Sequence, residues 1–155
     1  MNDLKTKPFI KLKILSCLID YAIIFTINSL IIVNYGEENN DGAYTLNGWP
    51  ALIPIIFWLI MTAGFEYFLG ATLGNEIVGL KPISLDGSKK LKFTQSLKRR
   101  FLDTIDMFMF GLIAYITIKN TTKNQRLGDI WANTIVVKTE EYNTCILATD
   151  DNTNA

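Results

Sequence analysis

Lys13, Asp20, Asp103, Asp106 and Asp129 are the side chains of this 155-residue chain whose type and placement could do chemistry. The chain has no histidine, which excludes His-based catalytic triads, imidazole metal sites and a simple histidine pH switch. Its two cysteines, Cys17 and Cys145, stand too far apart to form a metal motif or a disulfide framework, and both read as ordinary thiols. Carboxylate chemistry remains. Asp20 interrupts an apolar run, and a carboxylate in hydrocarbon is kept at low cost only by protonation or pairing, which makes it a candidate proton or cation site. Asp103 and Asp106 stand at i, i+3, with Arg99 four residues before Asp103. They form either a local ion pair or a second carboxylate site facing Asp20. Asp129 beside Gly128 makes a turn or reaches a Lys or Arg at a membrane surface. Lys13 lies two helical turns before Asp20, roughly 10 Å, too far for direct pairing within that helix, and serves as a snorkelling anchor that sets orientation or as a member of the same site. No nucleophile–base pair, metal set or cofactor motif appears, and the expected class is non-enzymatic.

The element that must position Asp20 is Ile14 to Val33, ILSCLIDYAIIFTINSLIIV, which as a helix reaches roughly 30 Å, the hydrocarbon thickness of a bilayer. Its twelve Leu, Ile, Phe and Val residues supply roughly −5 kcal/mol of insertion energy, against about +2.5 to +3.5 for one aspartate at the centre. Lys13, Ser16, Cys17, Asp20 and Asn28 share one sector of the helical wheel and form a polar strip that needs a protein or water partner. The run is longer than a signal-peptide core and lacks a small-residue cleavage pattern, so it reads as a retained signal anchor. A second run, about residues 50–69, carries Trp58 and Tyr67, with Pro50 suited to a first helical turn and Glu66 near its far end as an interfacial or a functional carboxylate. A third, Phe101 to Ile118, offers nine Leu, Ile and Phe residues, roughly −4 kcal/mol, against about 5 to 7 for two buried aspartates. It fits a third crossing or a re-entrant segment.

The charge pattern orients these runs. A basic arm, Lys5, Lys7, Lys11 and Lys13, precedes the first, and the loop from Asn34 to Gly48 has three carboxylates and no Lys or Arg. The loop from Gly70 to Arg100 carries seven cations against two carboxylates. By the positive-inside bias the N-terminus and the Gly70–Arg100 loop are cytoplasmic and the Asn34–Gly48 loop is outside. Within the basic loop, Ile77–Ser84 and Leu91–Phe93 flank the turn Asp86-Gly87 and predict a small β-hairpin. Thr134–Val137 is a further β-branched run able to pair with Ile77–Ser84. From Thr94, a candidate N-cap, Leu97, Phe101, Leu102 and Ile105 share a face, an interfacial helix pattern. The Lys89–Arg100 group reads as an orientation signal and an anionic-lipid contact, and a chain of net charge zero gives little support for nucleic-acid binding. The expected architecture is thus all-α and membrane-integral: two to three transmembrane or re-entrant helices with a small cytoplasmic β-hairpin element, one domain over 1–138 and a frayed polar tail over 139–155. The setting is a multi-pass place in the cell membrane.

Lys13 with Asp20 seven residues on, then GATLGNEIVGLKPISLDG, then QRLGDIWANTIVV, resemble the RDD family of small membrane proteins, named for one arginine and two aspartates. The likeness runs from about Lys11 to Val137. Its most specific part is the ordered set Gly70, Thr72, Gly74, then Gly79-Leu80, then Asp86-Gly87. The resemblance implies that Asp20 is the first family aspartate, that Asp129 is the second, and that the arginine position falls on Lys13. Lysine there keeps the charge without the bidentate fork of a guanidinium. Asn75 stands where a lysine is frequent and Asn133 where a glycine is. The resemblance implies transport of small ions or ligands, including sodium/proton exchange, with Asp20, Asp129 and Lys13 at the family positions; read from the residues, Asp103 and Asp106 are supporting carboxylates of the same site, and no cofactor is expected. Two or three helices are few to enclose a pathway, so transport calls for a homo-oligomer or a partner membrane subunit. The competing class is a scaffold that docks another helix on the polar strip.

Overall fold

The computed structural model describes residues 7–86, 88, 90–106 and 108–143. Lys5, Gly87, Lys89 and Cys145, named above, and the tail beyond residue 143 lie outside the described residues. Helix α1, Ile10–Tyr35, has 26 residues, and its buried ones are Ser16, Asp20 and Ile24, spaced by four on one line. On its outward side Ile14, Leu15, Leu18, Phe25, Leu30 and Val33 are exposed, which suits a helix whose surroundings are themselves apolar. Past α1, the acidic loop folds into a two-stranded ribbon, β1 Glu37–Glu38 against β2 Tyr44–Thr45.

The second long helix, Trp49–Leu69, is built from four pieces: a 3-10 turn at Trp49–Leu52 entered through Pro50, α2 at Ile53–Leu59, a π turn at Ile60–Gly64, and α3 at Phe65–Leu69. The extra residue of a π turn rotates the downstream turns by about 100° relative to an uninterrupted helix. No residue of α2 is buried, whereas Thr62, Ala63 and Glu66 are. From the π turn on, Thr62, Ala63 and Glu66 thus face inward, while Tyr67, Phe68 and Leu69 keep an apolar surface outward. Both α1 and Trp49–Leu69 are long and apolar enough to cross a membrane.

Gly70, at φ 88, ends the helix in the left-handed region that glycine adopts without strain. Thr72 then caps α4, Leu73–Ile77, its hydroxyl accepting the Asn75 N–H at 3.3 Å. Strand β3, Leu80–Ser84, pairs antiparallel with β4, Thr134–Lys138, with Leu80 opposite Lys138 and Ser84 opposite Thr134. The pairing with Thr134–Val137 anticipated from sequence is therefore present, but the local β-hairpin across Asp86-Gly87 is not. Ile77 ends the helix α4, so the strand begins at Leu80 and not at Ile77, and Phe93 opens α5, Phe93–Asp106. Gln95 explains the outcome. Its Oε1 accepts the Lys92 N–H at 3.0 Å, closing the first turn of α5, while its Nε2 donates to Ser84 Oγ at 2.8 Å and to the Ala132 carbonyl at 3.0 Å. The start of the helix is fastened to β3 and to the chain just before β4, and the cap position is Lys92, not Thr94.

The described residues on either side of residue 107 are helical, α5 to Asp106 and α6, Phe108–Asn120, and Gly111 within α6 stands at φ 83, outside the right-handed helical range. Helix α7, Leu127–Trp131, leads through Asn133, at φ 54, into β4. Asparagine tolerates this left-handed geometry better than most residues. Tyr142 joins Ile83, Ile135 and Val137 in the apolar cluster under the strands, so the expected fraying does not begin at Glu140.

Candidate functional site

The site is where α1, the end of Trp49–Leu69, α4, α5 and α7 meet. Asp20, midway along α1 and 7% exposed, turns both carboxylate oxygens to the residues after Gly70. Thr72 Oγ1 donates to Asp20 Oδ2 at 2.7 Å, and the Gly74 N–H donates to Oδ1 at 2.7 Å. One turn earlier, Ser16 Oγ donates to Asn75 Oδ1 at 2.8 Å. Gly74 has to be glycine. A Cβ there would run into the Ser16 carbonyl oxygen and come within 2.9 Å of the Asp20 carboxylate. The lower polar strip of α1 is thus covered by this chain's own α4.

Below it lies a closed ring of three carboxylates and three guanidiniums in which each member bridges two others. Arg99 Nε stands 3.0 Å from Glu66 Oε1, and Arg99 Nη1 is 2.5 Å from Asp129 Oδ1. Arg126 stands between Asp129, at 3.8 Å, and Asp103, at 3.4 Å. Arg100 closes the ring, donating to Asp103 Oδ2 at 2.8 Å and to Glu66. Arg99, Glu66 and Asp129 are 0% exposed. Taking six charges out of water is costly unless each finds its complement, and the alternating ring supplies that complement. Burial by itself would lower the Arg100 and Arg126 guanidiniums, yet Glu66 and Asp103 in the first case, and Asp103 and Asp129 in the second, raise both above their ordinary value. Burial by itself would raise the Asp129 carboxyl, but Arg99, Arg126 and Lys13 hold it below its ordinary value.

Asp106 stands outside the ring. It accepts the Leu127 N–H at 3.3 Å and the Gly128 N–H at 3.2 Å, so it anchors the start of α7. Burial raises its carboxyl, against the pull of Arg126 and of these two amides. Lys13 Nζ donates to the Asn124 carbonyl at 2.8 Å and ties α1 to the segment before α7.

A cavity of about 30 Å³ is lined by, among others, Lys13, Asp20, Asn75, Arg99, Asp103 and Arg126. That is room for about two water molecules or one small ion. Of the candidates named from sequence, Lys13, Asp20 and Asp103 line this cavity, Asp129 lies behind it in the ring, and Asp106 holds a neighbouring helix. The local pair Arg99–Asp103 does not form; Asp103 takes Arg100 and Arg126 instead. Nor do Arg99 and Arg100 contact lipid as part of the basic group, because both are buried. Sequence reasoning missed Arg99, Arg100 and Arg126 as site residues and left Glu66 between an interfacial and a functional role; the ring makes it a site residue. The available signal was a carboxylate near the end of one apolar run followed by a pair of arginines beside another, three charges too costly to bury alone.

The model of the RDD family matches residues 13–133. No curated protein and no solved structure matches.

Proposed function

We propose, for a chain that belongs to the RDD family, that it is an integral membrane component of small-ion or ligand transport in which Asp20 is the proton or cation site. The family is one of membrane proteins of uncertain function. One observation carries the reading: Asp20 is a buried carboxylate lining a cavity, while every guanidinium of the adjacent ring is committed to Glu66, Asp103 and Asp129. The ring is neutral as a set, so the charge of Asp20 is left to a proton, to a cation entering the cavity, or to the more distant field of its neighbours. Thr72 and Gly74 hold the carboxylate in place through either form, and Asp103 across the cavity offers a second oxygen donor.

On this reading α1 and Trp49–Leu69 cross the cell membrane with the N-terminus cytoplasmic, and the β3–β4 pair lies on the cytoplasmic side with α5 and α7. Gly111, at φ 83 inside α6, interrupts a straight helix, and Lys119, Lys123 and Arg126 follow at once; both support a re-entrant or interfacial course of residues 101–118 over a third crossing. A homo-oligomer or a partner subunit supplies the rest of any pathway. A second reading, a non-transporting scaffold, is favoured by the two donors on Asp20, which suffice to make it a structural pin for α4.

The test is cation-driven pH change in proteoliposomes with Na⁺, K⁺ or Li⁺ gradients, for the natural chain and Asp20→Asn side by side. Flux above empty vesicles, lost in a variant that remains folded and inserted, is the expected result. No flux from either protein would overturn the transport reading and leave the scaffold.

A further inference from the structure

We infer that α5 and α7 seat on the headgroup layer of an anionic phospholipid bilayer through Phe101, Ile105, Ile130 and Trp131, with Lys98 at the edge of this face. The inference rests on the reading of the two apolar helices as membrane spans. Helix α5 is turned inside out relative to an amphipathic helix in water. Arg99, Arg100, Asp103 and Asp106 are at most 5% exposed, whereas Phe101 is 65% and Ile105 47% exposed. A water-facing helix buries its apolar stripe and solvates its charges. Here the charges are satisfied inside the protein and the apolar stripe is left outside, which is favourable against acyl chains and costly against water.

Depth is fixed by Glu66. It lies three residues, about 5 Å, before the end of the second long helix at Leu69, and it bridges both Arg99 and Arg100. The ring therefore hangs α5 at the end of a span, where acyl chains give way to headgroups. Helix α7 packs against α5 and extends the same surface, with Ile130 44% and Trp131 52% exposed. Lys98 Nζ stands 5.5 Å from the centroid of the Trp131 ring. A tryptophan paired with a lysine on an apolar surface suits the interface, where the indole takes the boundary and the ammonium meets phosphate.

Tryptophan-only variants of the full chain test this in vesicles of phosphatidylcholine with and without phosphatidylglycerol. One keeps Trp131 (Trp49→Phe, Trp58→Phe) and the other keeps Trp58, mid-helix in the second span (Trp49→Phe, Trp131→Phe). Trp131 emission is expected to be quenched more by phospholipid brominated just below the headgroup than by phospholipid brominated deep in the chain, and little by acrylamide. Phosphatidylglycerol is expected to shift that emission to the blue, and Lys98→Gln to abolish the shift. Acrylamide access to Trp131, or shielding from both acrylamide and bromolipid as under a second protein copy, would overturn the inference while bromolipid quenching of Trp58 upholds the spans. Absence of any phosphatidylglycerol effect would overturn the anionic-lipid assignment. If Trp58 itself escapes bromolipid, the span reading fails instead.

Discussion

Asp20 is held by one hydroxyl and one backbone amide, and two substitutions separate its charge from its hydrogen bonds. In Asp20→Asn the amide oxygen still accepts from Gly74 and the Thr72 hydroxyl can reverse, so the fold is expected to survive. Asp20→Ala leaves both donors bare, at about 1–3 kcal/mol each. Denaturation in detergent should therefore find Asp20→Ala clearly less stable than Asp20→Asn; equal stabilities would show that the two bonds contribute nothing. Gly74→Ala tests the same contact from the other side. Its methyl meets the Ser16 carbonyl and the Asp20 carboxylate, and overpacking of this kind costs about 1–3 kcal/mol. The expected outcome is a lower unfolding midpoint together with loss of whatever Asp20 does, and an unaltered midpoint would mean that α4 does not sit on α1. At this scale Asp20 was legible in the sequence because a charge in an apolar run is a local signal. The role of Glu66 stayed open, because its partners Arg99 and Arg100 are more than thirty residues away and only the fold brings them within bonding distance.

Three elements meet in the ion ring, the end of Trp49–Leu69, α5 and α7 with its cap, and removing one member should unsettle all of them. Glu66→Gln leaves Arg99 and Arg100 each short of a carboxylate in a buried setting, where breaking a pair costs about 3–5 kcal/mol. A double-mutant cycle with Arg100→Gln should recover part of that loss, because the second change removes the stranded charge; strict additivity would show that the two do not interact. The ring also has a pH signature. Asp129 is held below its ordinary 3.8, so the unfolded chain takes up that proton at a higher pH than the folded chain. Its stabilisation is fully present above about 3.8 and is lost as pH falls toward the folded value. Asp129→Asn should consequently cost more stability at pH 7 than at pH 3, and a pH-independent difference would count against the pairing. The helices of the ring could be read from apolar periodicity, but the strand partner of Ile77–Ser84 stood open between two candidates. Leu91–Phe93 is three residues long and contains a lysine, whereas Thr134–Val137 is β-branched throughout, and Gln95 fastens the intervening chain as a helix start.

For the molecule as a whole, the ribbon Glu37–Thr45 and the β3–β4 pair stand at opposite ends of the proposed spans. The chain leaves α1 into the ribbon, returns through Trp49–Leu69, and reaches β3 only after Gly70. Lys13 at the start of α1 and Arg126 before α7 line the same cavity, so the beginning of the first helix and the late segments share one side. Charge asymmetry between loops left two courses open for residues 101–118, a crossing or a re-entrant segment, since the positive-inside bias counts where cations lie and not how they are paired. That same rule misassigned Arg99 and Arg100 to the surface, because a loop count cannot tell a buried guanidinium from a solvated one. Sidedness is measurable with single cysteines in a chain carrying Cys17→Ser and Cys145→Ser. In sealed right-side-out vesicles an impermeant maleimide should label Asp41→Cys at once and Lys138→Cys only after permeabilisation. Labelling of both before permeabilisation would mean an even number of crossings between them, and with it a third crossing after Arg100. The apolar run of residues 101–118 would then have to pass through the bilayer, and the cavity beside Asp20 would lie within a bundle of three helices instead of two.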